Sequence, residues 1–195
     1  MTLTRRRSND RLGHLLSEVF GPAPLLTVAF VEAGLWVGSA PGWWALLPIL
    51  GVAVVPYLAM IWLARQGRVS DRFVGQRSQR LPILLGVLGV VFGVIVILLG
   101  VRAPWEVTSL TIASAVGLIV VMAVNVVWKL SIHMAIAAFV WLLQFTVMPW
   151  WAAALLGLAV ITLGWARIVV RAHTTAQVLV GVLAGAVVFI VYLVL

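Results

Sequence analysis

The chain is a succession of apolar runs, each close to the length that crosses a bilayer, with short polar breaks between them. Seven such runs cover roughly residues 23–40, 44–65, 82–101, 106–128, 130–148, 150–170 and 174–195. A spanning helix needs about 20 mostly apolar residues. Lipid cannot satisfy backbone N–H and C=O groups, so runs of this length must close their hydrogen bonds internally as helices. This predicts an all-α fold, a polytopic integral membrane bundle of six to seven transmembrane helices. Several runs are near the lower length limit, so one or two are expected to tilt or re-enter. With 64% hydrophobic residues and a mean hydropathy of +1.20, no water-facing catalytic domain has room to exist.

Residues 1–21 stand apart as a basic tail and a short helix. Leu12, Leu15, Leu16, Val19 and Phe20 recur at helical spacing, Asn9 or Asp10 can cap the start, and Gly21-Pro22 ends it. The pattern predicts an amphipathic helix lying on the bilayer surface. The basic start, Met1 to Arg7, runs into further polar residues rather than an apolar core, so it is expected to be retained rather than cleaved as a signal peptide. Residues 22–195 form a single transmembrane domain. Pro48 and Pro56 fall inside the second run and are expected to kink it. Gly181 and Gly185 form a GxxxG pair in the last run, suited to close helix packing inside the fold, with association of two copies as the lesser use.

Alternating spans sort the breaks onto two faces. The N-terminus, the 66–81 loop, the Lys129 junction and the Arg171–Thr175 junction share one face. Residues 41–43, 102–105 and 148–151 share the other. Of the 13 Lys and Arg residues, only Arg102 lies on the second face. Tryptophans mark both boundaries, Trp43, Trp44, Trp105, Trp150 and Trp151 on one side and Trp62, Trp128 and Trp165 on the other. The net charge of +8 therefore reports topology and anionic lipid rather than nucleic acid. The positive-inside rule puts the N-terminus and the basic face in the cytoplasm of a plasma-membrane protein. The conclusion survives when the cations with a possible site role are set aside, since Arg5, Arg6, Arg7, Arg11, Arg65 and Arg68 still oppose Arg102.

Three polar stretches meet on the basic face: Ser70 to Arg80, Lys129 to His133, and Arg167 to Gln177. Arg77 and Arg80 share a helical face, as do Arg167 and Arg171. Arginine's planar fork matches phosphate oxygens, and Lys129 adds a further cation. His133 and His173 stand beside these cations at the edges of apolar runs. Two histidines among arginines fit phosphoryl transfer, with one attacking phosphorus and the other protonating the leaving oxygen, while the cations hold the charge of the transition state. Metal routes lack ligands. The chain has no cysteine and only five carboxylates, Asp10, Glu18, Glu32, Asp71 and Glu106, of which only Asp71 lies on the basic face near the spans. Magnesium-dependent lipid synthases need several carboxylates around the ion and the diphosphate, and arginines would repel zinc from His133, His173 and Asp71. No metal or other cofactor is expected. Glu32, inside the first run, has a structural role or faces a substrate cavity. Asn125 is expected to bond a neighbouring helix, and His14 to sit at the interface.

These stretches resemble the three motifs of the type 2 phosphatidic acid phosphatase superfamily, in a bacterial and archaeal branch, over about residues 68–185. The family's third motif is Ser-Arg, five residues, His, three residues, Asp; here Arg167 and His173 match, and Gln177 stands at the aspartate. The second is Pro-Ser-Gly-His; here Ser131 and His133 match, between Leu130 and Ile132. The first is Lys, six residues, Arg-Pro; here Arg80 matches, Pro82 follows one residue late and Phe73 occupies the lysine position. The resemblance implies metal-independent hydrolysis of a membrane lipid phosphate. His173 would be the nucleophile and His133 the general acid, with Arg80, Arg167 and Ser131 holding the phosphate. Gln177 can accept the hydrogen bond that orients His173 but brings no charge, and Asp71 is expected to reach His173 across the bundle instead. Loss of catalysis, leaving a lipid-phosphate binding or transport protein, is the competing reading.

Overall fold

The computed structural model describes residues 3–35, 42–68 and 80–195, with side chains from residue 9 and, in the last segment, from residue 81. Among these all the regular secondary structure is helical. α1 is Leu3–Val19 and α2 is Pro22–Leu35. A composite helix over Gly42–Arg65 contains α3, Leu46–Pro48, and α4, Val55–Arg65. α5 is Arg80–Gly100, α6 Trp105–Val127, α7 Ile132–Val147, α8 Trp150–Val169 and α9 Thr175–Val194. Six helical stretches are long and apolar enough to cross a membrane, and α7 is a shorter apolar helix of 16 residues. The protein is an all-α multi-pass membrane bundle.

Local chemistry sets the breaks. Pro104 and Pro149 occupy the N-cap positions of α6 and α8 with extended backbone (ψ 139° at both), where a missing N–H costs nothing. Trp128 and Met148 turn extended and end α6 and α7. In the composite helix the two prolines do more than kink the chain. Between Pro48 and Pro56 it widens into a π-helix, Ile49–Val54.

α1 packs differently from the pattern of its leucines. Gly13 and Ser17 are buried, while Leu12, Leu15 and Val19 face outward. A Cβ on Gly13 would meet Val170 and the Ala166 carbonyl, and Phe20 packs into the cluster of Met134, Leu163 and Val178. α1 thus lies along the C-terminal end of α8 with its leucines outward, and Asn9–Leu35 is a helical stretch long and apolar enough to cross a membrane, broken at Gly21. The small-residue edge lets the backbones approach, and the leucines meet lipid.

α7 is the central helix. A side chain at Gly181 would place its Cβ 2.6 Å from the Ser131 carbonyl, and one at Gly185 would collide with the Ala135 carbonyl. The GxxxG pair is therefore used within the chain to press α9 against the start of α7. On another side, Gly157 of α8 leaves room for the Trp141 ring, whose Nε1 donates to the Ala153 carbonyl at 2.8 Å. Toward the far end Gln144 Nε2 donates to Glu32 Oε2 at 2.9 Å, which fastens α2 to α7. Gripped on three sides, α7 carries its first turn to the same end of the bundle as the end of α8 and the start of α9.

Candidate functional site

That end holds the second and third polar stretches. The turn after α8 is closed by Arg171 N–H donating to the Ile168 carbonyl and Ala172 N–H to the Arg167 carbonyl, at 3.0 and 3.1 Å. This is a Schellman motif, whose central residue is usually glycine; here it is Arg171, at φ 55°. His173 N–H also donates to the Arg167 carbonyl, so one carbonyl anchors the histidine's backbone to the arginine's.

α9 then starts with a capping box. Thr174 Oγ1 accepts the Gln177 N–H at 3.3 Å, and Gln177 Oε1 accepts the Thr174 N–H at 3.2 Å. The same Oε1 lies 3.2 Å from His173 Nδ1. Because that oxygen already accepts Thr174 N–H, it is the amide carbonyl that faces the ring, and Nδ1 is the donor. In the neutral ring the lone pair is then on Nε2. Glutamine at 177 serves the helix cap and the histidine together. The Thr174-to-Gln177 spacing carried that signal, and the sequence reading missed it.

Two further bonds sew the stretches together. Ser131 N–H donates to the Gln177 carbonyl at 3.1 Å, and Lys129 Nζ donates to the Ala172 carbonyl at 3.0 Å. Lys129 braces the His173 turn and, like the exposed Arg171 and the fully buried Ser131, is not among the residues lining the cavity beside that turn. Ser131 is the N-cap of α7, yet its hydroxyl makes no cap bond. The side chain is fully buried and Oγ has no hydrogen-bond partner among the described residues. An unanswered buried hydroxyl costs about 1–3 kcal/mol, and the N-terminus of a helix is a place where an anion supplies the missing partner.

His133, Arg167 and His173, at 6, 4 and 8% exposure, line one end of a cavity of about 240 Å³. From there it runs between helices to Val91, Ser114, Phe139 and Val188. His133 to Phe139 along α7 is about 9 Å of rise, so the cavity enters the apolar interior. It joins a guanidinium and two imidazoles at one pole to an almost wholly apolar body. Its walls also include Pro22 and Leu26 of α2 and Pro56 and Met60 of α4, apolar residues that no sequence signal distinguished from ordinary core.

Of the other expected site residues, Asp71 and Arg77 lie outside the described residues, as does the side chain of Arg80, whose backbone opens α5. Asn125 Nδ2 donates within its own helix to the Val121 carbonyl at 2.8 Å. Glu18, within the amphipathic pattern of the N-terminal segment, lines a second cavity beside the first. No family model, curated protein or solved structure matches the chain.

Proposed function

We propose that the protein is a metal-independent phosphatase of membrane lipids, hydrolysing a phosphate monoester or diphosphate on a polyprenyl or glycerolipid phosphate, as the motif resemblance to the type 2 phosphatidic acid phosphatases suggests. The observation that carries the reading is the single cavity with a His133, Arg167 and His173 pole and an apolar body. Its polarity matches that of a lipid phosphate. The phosphate would sit at Arg167 and the first turn of α7, close to the Ser131 hydroxyl, with Arg80 at the start of α5 and Arg77 before it in sequence as further cations. The chain would lie among α5, α6, α7 and α9.

In this reading His173 Nε2 attacks phosphorus while the bond to the lipid oxygen breaks, and His133 gives that oxygen its proton. Water then attacks the phosphohistidine and its proton passes to His133. Inorganic phosphate leaves, His173 is again the neutral imidazole, and His133 is again protonated as it began. Arg167 holds the charge of the five-coordinate phosphorus. Gln177 keeps Nδ1 protonated so that Nε2 is available. The bias of basic residues favours a site on the cytoplasmic side of the plasma membrane.

The test is phosphate release from a panel of lipid phosphates by the purified protein, with acid-labile phosphate trapped on His173. Release that persists unchanged in His173→Ala would overturn the mechanism. One observation favours a second reading, a lipid-phosphate binding or transport protein. The residue that orients His173 is neutral, which weakens stabilisation of the imidazolium. Vanadate separates the two, since it inhibits an enzyme that passes through five-coordinate phosphorus and leaves transport largely intact.

A further inference from the structure

Beside the histidine-lined cavity lies a second one of about 600 Å³. The two share Pro22, Leu26, Val52, Pro56 and Met60 in their walls. On α2 the shared residues are four apart, and on the composite helix four and eight apart, so one row of side chains on each helix stands between the cavities. Val52 sits in the π-helical stretch, a geometry that recurs at functional sites in helices.

The two cavities have opposite hydrogen-bonding character. The first presents Arg167, which can only donate. The second takes its polar lining from Ser17, Glu18, Thr27 and Tyr57. Ser17 Oγ donates to the Gly13 carbonyl and Thr27 Oγ1 to the Ala23 carbonyl, both at 2.8 Å. With their protons engaged, these hydroxyls offer lone pairs. Glu18 adds carboxyl oxygens, and Tyr57 a phenol that can donate or accept. No Lys or Arg among the described residues lines this cavity. A phosphate would find one phenol that can donate and, among the described residues, no cation to offset its charge. A lipid hydroxyl, which brings a proton and no charge, would find what it needs.

Hydrolysis of a lipid phosphate turns an acceptor-only headgroup into a donor. We propose that the second cavity is a site for the neutral lipid alcohol, which passes into it from the first across the Leu26 and Val52 wall. The proposal rests on the phosphatase reading for where the alcohol comes from, but its site is testable by binding alone.

The experiment uses the full chain in phosphatidylcholine nanodiscs with two photoreactive probes, a diazirine-bearing long-chain alcohol and its phosphate ester, and maps crosslinks by mass spectrometry. The alcohol should label 17–27 and 53–60, and the ester should label α6, α7 and α9. Excess ester should leave alcohol labelling intact. Ala53 lines only the second cavity, so Ala53→Trp should cut alcohol labelling about tenfold, equivalent to about 1.4 kcal/mol, and spare ester labelling. Should that variant not fold, Thr27→Val keeps the shape, removes one acceptor and should cut alcohol labelling roughly fivefold. Alcohol crosslinks confined to the first cavity, displacement of the alcohol by the ester, or stronger competition by an ethanolamine lipid than by unlabelled alcohol would each overturn the site. Absence of phosphate release from every lipid phosphate, with the crosslink pattern intact, would sink the phosphatase reading and leave the alcohol site standing.

Discussion

His173 Nδ1 lies 3.2 Å from Gln177 Oε1, and Thr174 N–H is bonded to the same oxygen. One amide carbonyl therefore caps α9 and decides which imidazole nitrogen points away from the helix. A carboxylate in its place would do both and add charge. Gln177→Glu should raise the rate of phosphate release about tenfold, since a charge-assisted bond exceeds a neutral one by about 1–1.5 kcal/mol. Gln177→Ala should lower both activity and melting temperature, because cap and orientation are lost together. Loss of a comparable charge in serine proteases costs on the order of 10⁴ in rate, which bounds the gain. A Gln177→Glu protein no faster than wild type would show that Gln177 does not govern His173.

Ser131 offers a test with opposite signs. Its buried hydroxyl is unanswered among the described residues, so Ser131→Ala should leave the melting temperature unchanged or raise it, by up to about 1 kcal/mol in stability. The same change should weaken use of lipid phosphate, read as a higher KM or lower kcat. A loss of stability without loss of activity would remove Ser131 from the phosphate site.

Arg167 matches the third motif and Arg171 shares its helical face, and the structure separates them, one buried on the cavity and the other exposed. Arg167→Lys keeps the charge but loses the fork, and kcat/KM should fall about 10- to 100-fold, the equivalent of about 1.5–3 kcal/mol. Arg171→Gly relieves a left-handed residue and should stabilise the fold by about 1 kcal/mol, with activity within about twofold of wild type. Matched losses in the two variants would put Arg171 back at the phosphate.

Gly181→Ala should be among the most damaging small changes in the chain. Its Cβ would lie 2.6 Å from the Ser131 carbonyl, so α9 must move off α7 at a cost of about 1–3 kcal/mol. That separates the His173 side of the site from the His133 side. Melting temperature and phosphate release should fall together.

The chain has no cysteine, so single cysteines report topology directly. Arg68→Cys should react with an impermeant maleimide only in inverted vesicles and Arg102→Cys only from outside. The reverse pattern would move the site to the outer face.

The spans were legible because lipid forces each crossing to announce itself. The runs read at 106–128 and 150–170 appear as Trp105–Val127 and Trp150–Val169. The GxxxG pair gave a correct account of α9 because only a missing side chain permits the contact with the Ser131 carbonyl. His133, Arg167 and His173 were legible as polar residues beside apolar runs, and they share one cavity. Less was legible where the same residue type serves several ends. Lys129 looks in sequence like any phosphate-binding cation, and only geometry ties it to the Ala172 carbonyl. The apolar walls contributed by α2 and α4 had no signature, because a valine against a cavity and a valine against a valine are the same letter. The leucines of α1 told only half of its packing for a related reason. An apolar stripe facing lipid and one facing protein have the same period, and the packed edge was the quieter row of Gly13 and Ser17.

α7 has 16 residues, about 24 Å of rise, short of the roughly 30 Å hydrocarbon core of a bilayer. Helices that face lipid must tilt or stretch to match membranes of different thickness. α7, enclosed by α2, α8 and α9, answers to its neighbours instead. The Ser131 to Gln177 bond fastens its first turn to α9, so His133 and His173 keep their relation while the outer helices adapt. Hydrophobic mismatch would then reshape the cavity walls on α4 and α5 before it reached the histidines. Changing acyl length in the host bilayer should alter which lipids are accepted more than how fast a bound one reacts.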